Sequence, residues 1–119
     1  VTRSLADSVG DPAFSVVRSD DAARTVLALR GELDIAGVPD VTVAAASIDP
    51  GARVTIDLSE LSFIDSSGIQ ALMKLDVRSR AEGWSLELAA PRDAVRRALA
   101  LCQFDKRVPI SGDAPPAAG

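Results

Sequence analysis

Residues 58–75, LSELSFIDSSGIQALMKL, join an apolar alternating run to an amphipathic one, and the four residues between them, Asp65-Ser66-Ser67-Gly68, decide the fold. Upstream, RVTIDL (53–58) places Val54, Ile56 and Leu58 on one side, and its β-branched content predicts a strand. Downstream of Ser66, Ile69, Leu72, Met73 and Val77 recur at helical spacing. Lys74, Asp76, Arg78 and Arg80 fall to the other face, and Gly83 supplies the stop, so the spacing predicts a helix over 66–82. The tetrapeptide therefore sits where the chain leaves a strand at its carboxyl end, the usual binding edge of an open α/β sheet.

Working outward, FSVVR (14–18) and TVLALR (25–30) are short β-rich runs separated by SDDAA, which predicts an antiparallel pair. From Val38 the chain places Val38, Val41, Ala45 and Ile48 at helical spacing, with Pro39 in the first turn and Asp49-Pro50-Gly51 as the stop. Thr42 and Val43 weaken that helix. SLELAA (85–90) reads as a strand. Val95, Ala98, Leu99 and Cys102 then make another apolar stripe, with Arg96 and Arg97 on its solvated side, and RVPI (107–110) reads as a last strand at an edge because of Pro109. The order β-β-α-β-α-β-α-β predicts one α/β domain over 13–110, a mixed sheet of about five strands with helices packed mainly on one face. Residues 1–12 and 111–119 lack apolar anchors and are expected to be flexible arms.

Composition removes several function classes. The 119 residues carry a net charge of −4, which disfavours a phosphate-backbone binder and so a nucleic-acid partner. With no histidine and no tyrosine, a Ser-His-Asp triad and any histidine-based metal site are excluded. Neither a metal nor a cofactor is expected. The single cysteine, Cys102, is expected to be a buried small hydrophobe in a reducing cytoplasm. No apolar run approaches the ~18 residues of a membrane span, and the first residues lack a signal peptide's apolar core.

Three readings of Asp65-Ser66-Ser67-Gly68 compete. Asp65 or Ser66 is a favoured N-cap. A serine nucleophile is disfavoured, because FIDSSGI lacks the G-x-S-x-G elbow and no base is in view. The third reading is a phosphate acceptor: a helix start carries about half a positive charge and free N–H donors, so it can receive a phosphate on Ser66 or Ser67 without unfolding. A phosphate cradle is disfavoured, since the loop has one glycine and no following lysine.

RGELDIAGVPDV (30–41), VTIDLSELSFIDSSGIQAL (54–72) and LELAAPRDAVRRALALCQFDKRVPI (86–110) together resemble the STAS domain of bacterial anti-sigma factor antagonists. The resemblance spans about residues 14–110 and rests on G-E-L-D and L-x-F-[ILM]-D-S-[ST]-G taken together. It implies a non-enzymatic, cytoplasmic partner-switching protein. The unphosphorylated form would bind an anti-sigma factor that is also a serine kinase, and a metal-dependent serine phosphatase would reactivate it. It maps the phosphoacceptor onto Ser66, the preceding acid onto Asp65, the second hydroxyl onto Ser67 and the G-E-L-D aspartate onto Asp34. Simpler roles stay open: Asp34 as a helix cap, Gly68 for close backbone approach, Ser67 as a hydroxyl for first-turn N–H groups, and Phe63 as core or as an apolar contact beside the phosphosite. The alternative within the family is an adapter subunit of a transporter or stress complex that is never phosphorylated. The first helix is more β-branched than is usual in the family.

Overall fold

The computed structural model describes residues 14–115; the expected arm at 1–12 and the end of the expected tail lie outside the described residues. In chain order the elements are β1 (Phe14–Asp20), β2 (Thr25–Leu33), a 3-10 turn (Ile35–Gly37), α1 (Val38–Ala44), β3 (Arg53–Ile64), α2 (Ser66–Glu82), β4 (Ser85–Ala89), α3 (Asp93–Leu101), a second 3-10 turn (Phe104–Lys106) and β5 (Ile110–Ser111). They form one sheet in the order β1-β2-β3-β4-β5, with β1 antiparallel to β2 and every later pair parallel. Each parallel crossover steps to the next position in the same direction, so with the right-handed rule all three helices cover one face.

That face holds the core. Leu27, Leu29 and Leu33 of β2, Val54, Ile56, Leu58, Leu61 and Ile64 of β3, and Leu86 and Leu88 of β4 meet Val41, Ile69, Leu72, Val95 and Leu99 from the helices and Phe104 from the second turn. Each such fully buried side chain contributes about 1.5–3 kcal/mol. The expected element order and layering are both present.

Several boundaries differ from the expected ones, each for a local reason. β3 runs on to Ile64 rather than stopping at Leu58, because it stays paired with β2 as far as Leu33, taking up two extra residues on the way. The register shifts between Ala28 and Arg30 and again between Gly31 and Glu32. Each shift is a bulge that reverses which face the next residue takes. α1 stops at Ala44 rather than Ile48: Thr42 Oγ1 bonds back to the Val38 carbonyl at 3.2 Å, and Ser47 takes a positive φ of 58°. Ala45 and Ile48 are buried all the same. β5 is Ile110–Ser111 instead of 107–110, because Pro109 has no N–H for the ladder, and its carbonyl accepts from Leu88 N at 2.9 Å. Ser111, expected in the tail, is thus part of the sheet.

Two side chains expected in the core are exposed, as is Phe63, whose place was open between core and surface, and one expected in solvent is buried. On α2, Val77 is 60% exposed while Asp76 is 2% exposed. The buried stripe runs through Ile69, Leu72, Leu75, Asp76 and Ser79, and Val77 lies beyond its edge. Asp76 is held by Arg80 (Nε to Oδ1, 3.0 Å) and Arg107 (Nη2 to Oδ2, 2.8 Å). Cys102 is exposed because α3 ends at Leu101 and Gln103 turns the chain with a φ of 57°, so the apolar stripe is not continued. Phe63 is the third. At the far end of the sheet Arg18 ties β1 to the end of α1 through the carbonyls of Ala44 and Ala46. Its guanidinium, with the Thr25 hydroxyl, holds the Asp20 carboxyl below the usual carboxylate range.

Candidate functional site at the carboxyl end of strands two and three

Leu33 and Ile64 are the last partners in the parallel β2–β3 register, so Asp34 and Asp65 are the first residues beyond two neighbouring strand ends. Each aspartate caps the helical segment that begins there. Asp34 Oδ1 accepts from Ala36 N at 3.0 Å, at the start of the first 3-10 turn. Asp65 Oδ1 accepts from Gly68 N at 3.1 Å at the start of α2, and Ile69 N donates to the Asp65 carbonyl at 3.0 Å. Asp65 N in turn donates to the Leu33 carbonyl at 3.2 Å, which locks the two loops side by side.

With Asp65 as the cap, the serines are released from that duty. Ser66 is the first residue of α2 and is exposed; Ser67 is half-buried. Among the described residues neither hydroxyl has a hydrogen-bond partner within the protein, so Ser67 does not satisfy the first-turn N–H groups. The capping carboxylate takes only the N–H of Gly68, and the N–H groups of Ser66 and Ser67 have no intrahelical acceptor by construction. The arrangement presents one hydroxyl and two free donors at the positive end of a helix of 17 residues.

Gly68 lets the helix start sit this low. A Cβ there would lie 2.7 Å from Ile64 Cγ1, 2.8 Å from Leu33 Cγ and 2.9 Å from the Leu33 carbonyl oxygen. Gly37 plays the same part under the neighbouring turn, with Phe14 Cδ2 at 2.6 Å from its would-be Cβ. Both glycines bring a loop onto the ends of β1, β2 and β3 more closely than a side chain permits.

Of the two places open to Phe63, core or surface, the structure gives the second: it is 47% exposed. Strict alternation from the buried Leu61 would turn Phe63 inward. Ser62, however, is the extra residue of the second bulge: Gly31 pairs with Leu61 and Glu32 with Phe63, and Ser62 Oγ donates to the Gly31 carbonyl at 3.0 Å. Ile64 is thereby returned to the core and Phe63 faces outward, on the side of the sheet that the helices leave uncovered. Ile35, 74% exposed in the turn after Asp34, was not singled out in the sequence. Its signal was an isolated apolar residue directly after a cap.

The structure therefore brings Asp34, Asp65, Ser66, Ser67, Gly68 and Phe63 to one end of the sheet. A cavity of about 500 Å³ lined by Arg18, Arg24 and Arg53 and by Asp20, Asp21 and Asp49 lies at the opposite end, and its charges balance. Among the described residues no group of three Cys, Asp or Glu side chains could hold a metal ion, and no helix is long and apolar enough to cross a membrane.

The sequence profile of the family described as "Mlab, STAS domain" matches residues 16–110. The Osmosensory protein A of Mycobacterium tuberculosis is 39% identical over 70 residues, 56% of this chain; the chain spans only 44% of that relative's length. The anti-sigma factor antagonist SpoIIAA in its unphosphorylated form superposes with a TM-score of 0.55 and 25% identity, over 87% of this chain and 90% of that one. A sulfate transporter family protein of Wolinella succinogenes superposes with a TM-score of 0.66 at 15% identity, over 74% and 75% of the two chains.

Proposed function

Since the chain belongs to the STAS-domain family, we propose that it is an anti-sigma factor antagonist whose docking is controlled by phosphorylation of Ser66. In this reading it is a cytoplasmic binding protein and not a catalyst. The unphosphorylated form binds an anti-sigma factor with serine kinase activity and so releases the sigma factor. The kinase marks Ser66, the complex dissolves, and a serine phosphatase resets it.

The observation that carries the reading is the division of labour at the start of α2: Asp65 caps the helix, and Ser66 stands exposed beside unclaimed N–H donors. A serine needed as the cap could not be modified without loss of the helix end. Here the mark adds about −1.5 to −2 charge to a scaffold that does not depend on the hydroxyl. The likeness to SpoIIAA, solved in its unphosphorylated form, supports the same reading. Fold alone does not choose, because a sulfate transporter family protein shares it.

The experiment incubates the purified chain with anti-sigma factors of the kinase type from its own genome, with ATP and magnesium, and maps phosphate by mass spectrometry. One phosphate on Ser66 is expected, with none on Ser66→Ala. Absence of phosphate with every kinase tried, or its placement on Ser67 alone, contradicts the reading and leaves the unmodified adapter in its place.

A further inference from the structure

The amino ends of β2 and β3 frame the cavity of about 500 Å³, a volume within the range of small-molecule sites. One wall is the β1–β2 turn with Asp21 and Arg24; the other is the segment from Ser47 to Arg53 that joins α1 to β3. Both walls are fastened. Asp21 N donates to the Arg24 carbonyl at 3.0 Å, and Asp21 Oδ1 accepts from the N–H groups of Ala23 and Arg24, each at 2.8 Å. Opposite, Gly51 N donates to the Gly83 carbonyl at 2.7 Å, and Arg18 donates to the carbonyls of Ala44 and Ser47. The charges divide into spent and unspent. Arg18 is taken up by those carbonyls and by Asp20 at 3.0 Å, and Asp20 also accepts from Thr25 Oγ1 at 2.6 Å. Among the described residues the side chains of Arg24, Arg53 and Asp49 have neither an ion-pair partner nor a hydrogen bond, although all three line the same cavity. They are borne by three separate segments and held farther apart than an ion pair allows. Opposite charges that share a cavity without meeting leave room for a molecule that bridges them.

We propose that this cavity binds a small zwitterion, a free amino acid or a kindred molecule that carries a carboxylate and a primary ammonium. The unspent guanidiniums of Arg24 and Arg53 take the carboxylate, a pairing whose fork geometry is strong and directional. The ammonium goes to the carboxylate of Asp49 and to the free oxygen of Asp21. Charge selects the occupant. The lining carries guanidiniums and carboxylates in equal number, so a simple anion drawn to the arginines is repelled by the aspartates, and a simple cation meets the reverse. A molecule with both signs gains from each wall. The type of ammonium follows from the lining as well. A quaternary ammonium has no N–H to donate and is held by aromatic faces, and no aromatic side chain lines this cavity. A primary ammonium donates three hydrogen bonds, which suits carboxylate oxygens. The site lies at the other end of the sheet from Ser66 and draws on none of the residues assigned to docking or phosphorylation, so it stands independently of the antagonist reading.

The experiment titrates the isotope-labelled full chain with free amino acids, one at a time, and follows the backbone amides by NMR. Glycine betaine, sodium acetate and methylammonium chloride are the comparison ligands, and each titration runs to about 50 mM so that a millimolar dissociation constant is seen to saturate. Saturable shifts are expected for at least one amino acid, centred on residues 21–25 and 47–53, with the three comparison ligands giving none at the same concentration. Arg24→Gln, Arg53→Gln and Asp49→Asn are each expected to weaken that binding at least about fivefold. Their thermal midpoints should match the wild type, because none of the three side chains is bonded within the described fold. Absence of saturable shifts with every amino acid overturns the proposal, as do shifts centred elsewhere. Equal binding of acetate or methylammonium shows a site for a single charge and overturns it too; equal binding of glycine betaine removes the primary ammonium on which it rests. Wild-type affinity in all three variants would place the ligand outside this cavity and overturn it as well.

Discussion

At the scale of single residues, Gly68 has no room for a methyl group. The carbonyl of Leu33, 2.9 Å from the would-be Cβ, cannot retreat, because it accepts the hydrogen bond from Asp65 N that holds the loop to β2. Helix propensity favours alanine over glycine by about 1 kcal/mol, and overpacking costs about 1–3 kcal/mol. Three contacts under 3.0 Å put the clash ahead. Gly68→Ala is therefore expected to destabilise the fold by about 1–2 kcal/mol, read from a urea midpoint. An unchanged or raised midpoint would show that α2 can lift from the sheet at no cost. Phe63 illustrates the other residue-scale lesson. Alternation is a reliable guide only while every residue is paired, and one unpaired serine reversed it.

At the scale of elements, Asp76 fastens α2 to the turn that precedes β5. Its carboxylate is 3% exposed between Arg80, 60% exposed, and Arg107, 49% exposed, and Arg80 Nη2 also donates to the Arg107 carbonyl at 2.8 Å. Either arginine alone keeps the buried charge paired, so Arg80→Ala or Arg107→Ala is expected to cost about 1 kcal/mol. The double variant strands the carboxylate and is expected to cost about 3–5 kcal/mol. A double-mutant cycle in urea checks this; additivity within about 0.5 kcal/mol would contradict it. The element order, the strand–helix junction at Asp65 and the helix over 66–82 were legible in the sequence, because caps, glycine stops and apolar spacing are local signals. The reach of β3, the face of Phe63 and the burial of Asp76 were not. Bulges are set by a neighbouring strand, and a carboxylate enters a core only when distant arginines meet it. Cys102 misled for a related reason, since a helical stripe predicts burial only as far as the helix extends.

At the scale of the molecule, a small acidic domain gathers two helix-capping aspartates, the exposed Ser66 and two exposed apolar side chains, Ile35 and Phe63, at one end of its sheet, while its Asp76 clamp and its charge-balanced cavity lie away from that end. In the proposed function, this separation of scaffold from docking face would let one covalent anion change binding while the fold persists. A partner carboxylate about 6 Å from the phosphate is repelled by about 2–3 kcal/mol per unit charge at an effective dielectric near 20, and screening at physiological salt about halves this. The direct measurement is the dissociation constant of the cognate anti-sigma factor for the unmodified chain and for the chain phosphorylated at Ser66, with circular dichroism of both. The account predicts a loss of about 30-fold or more with superimposable spectra; equal affinities, or a loss that accompanies a fall in helix signal, would contradict it.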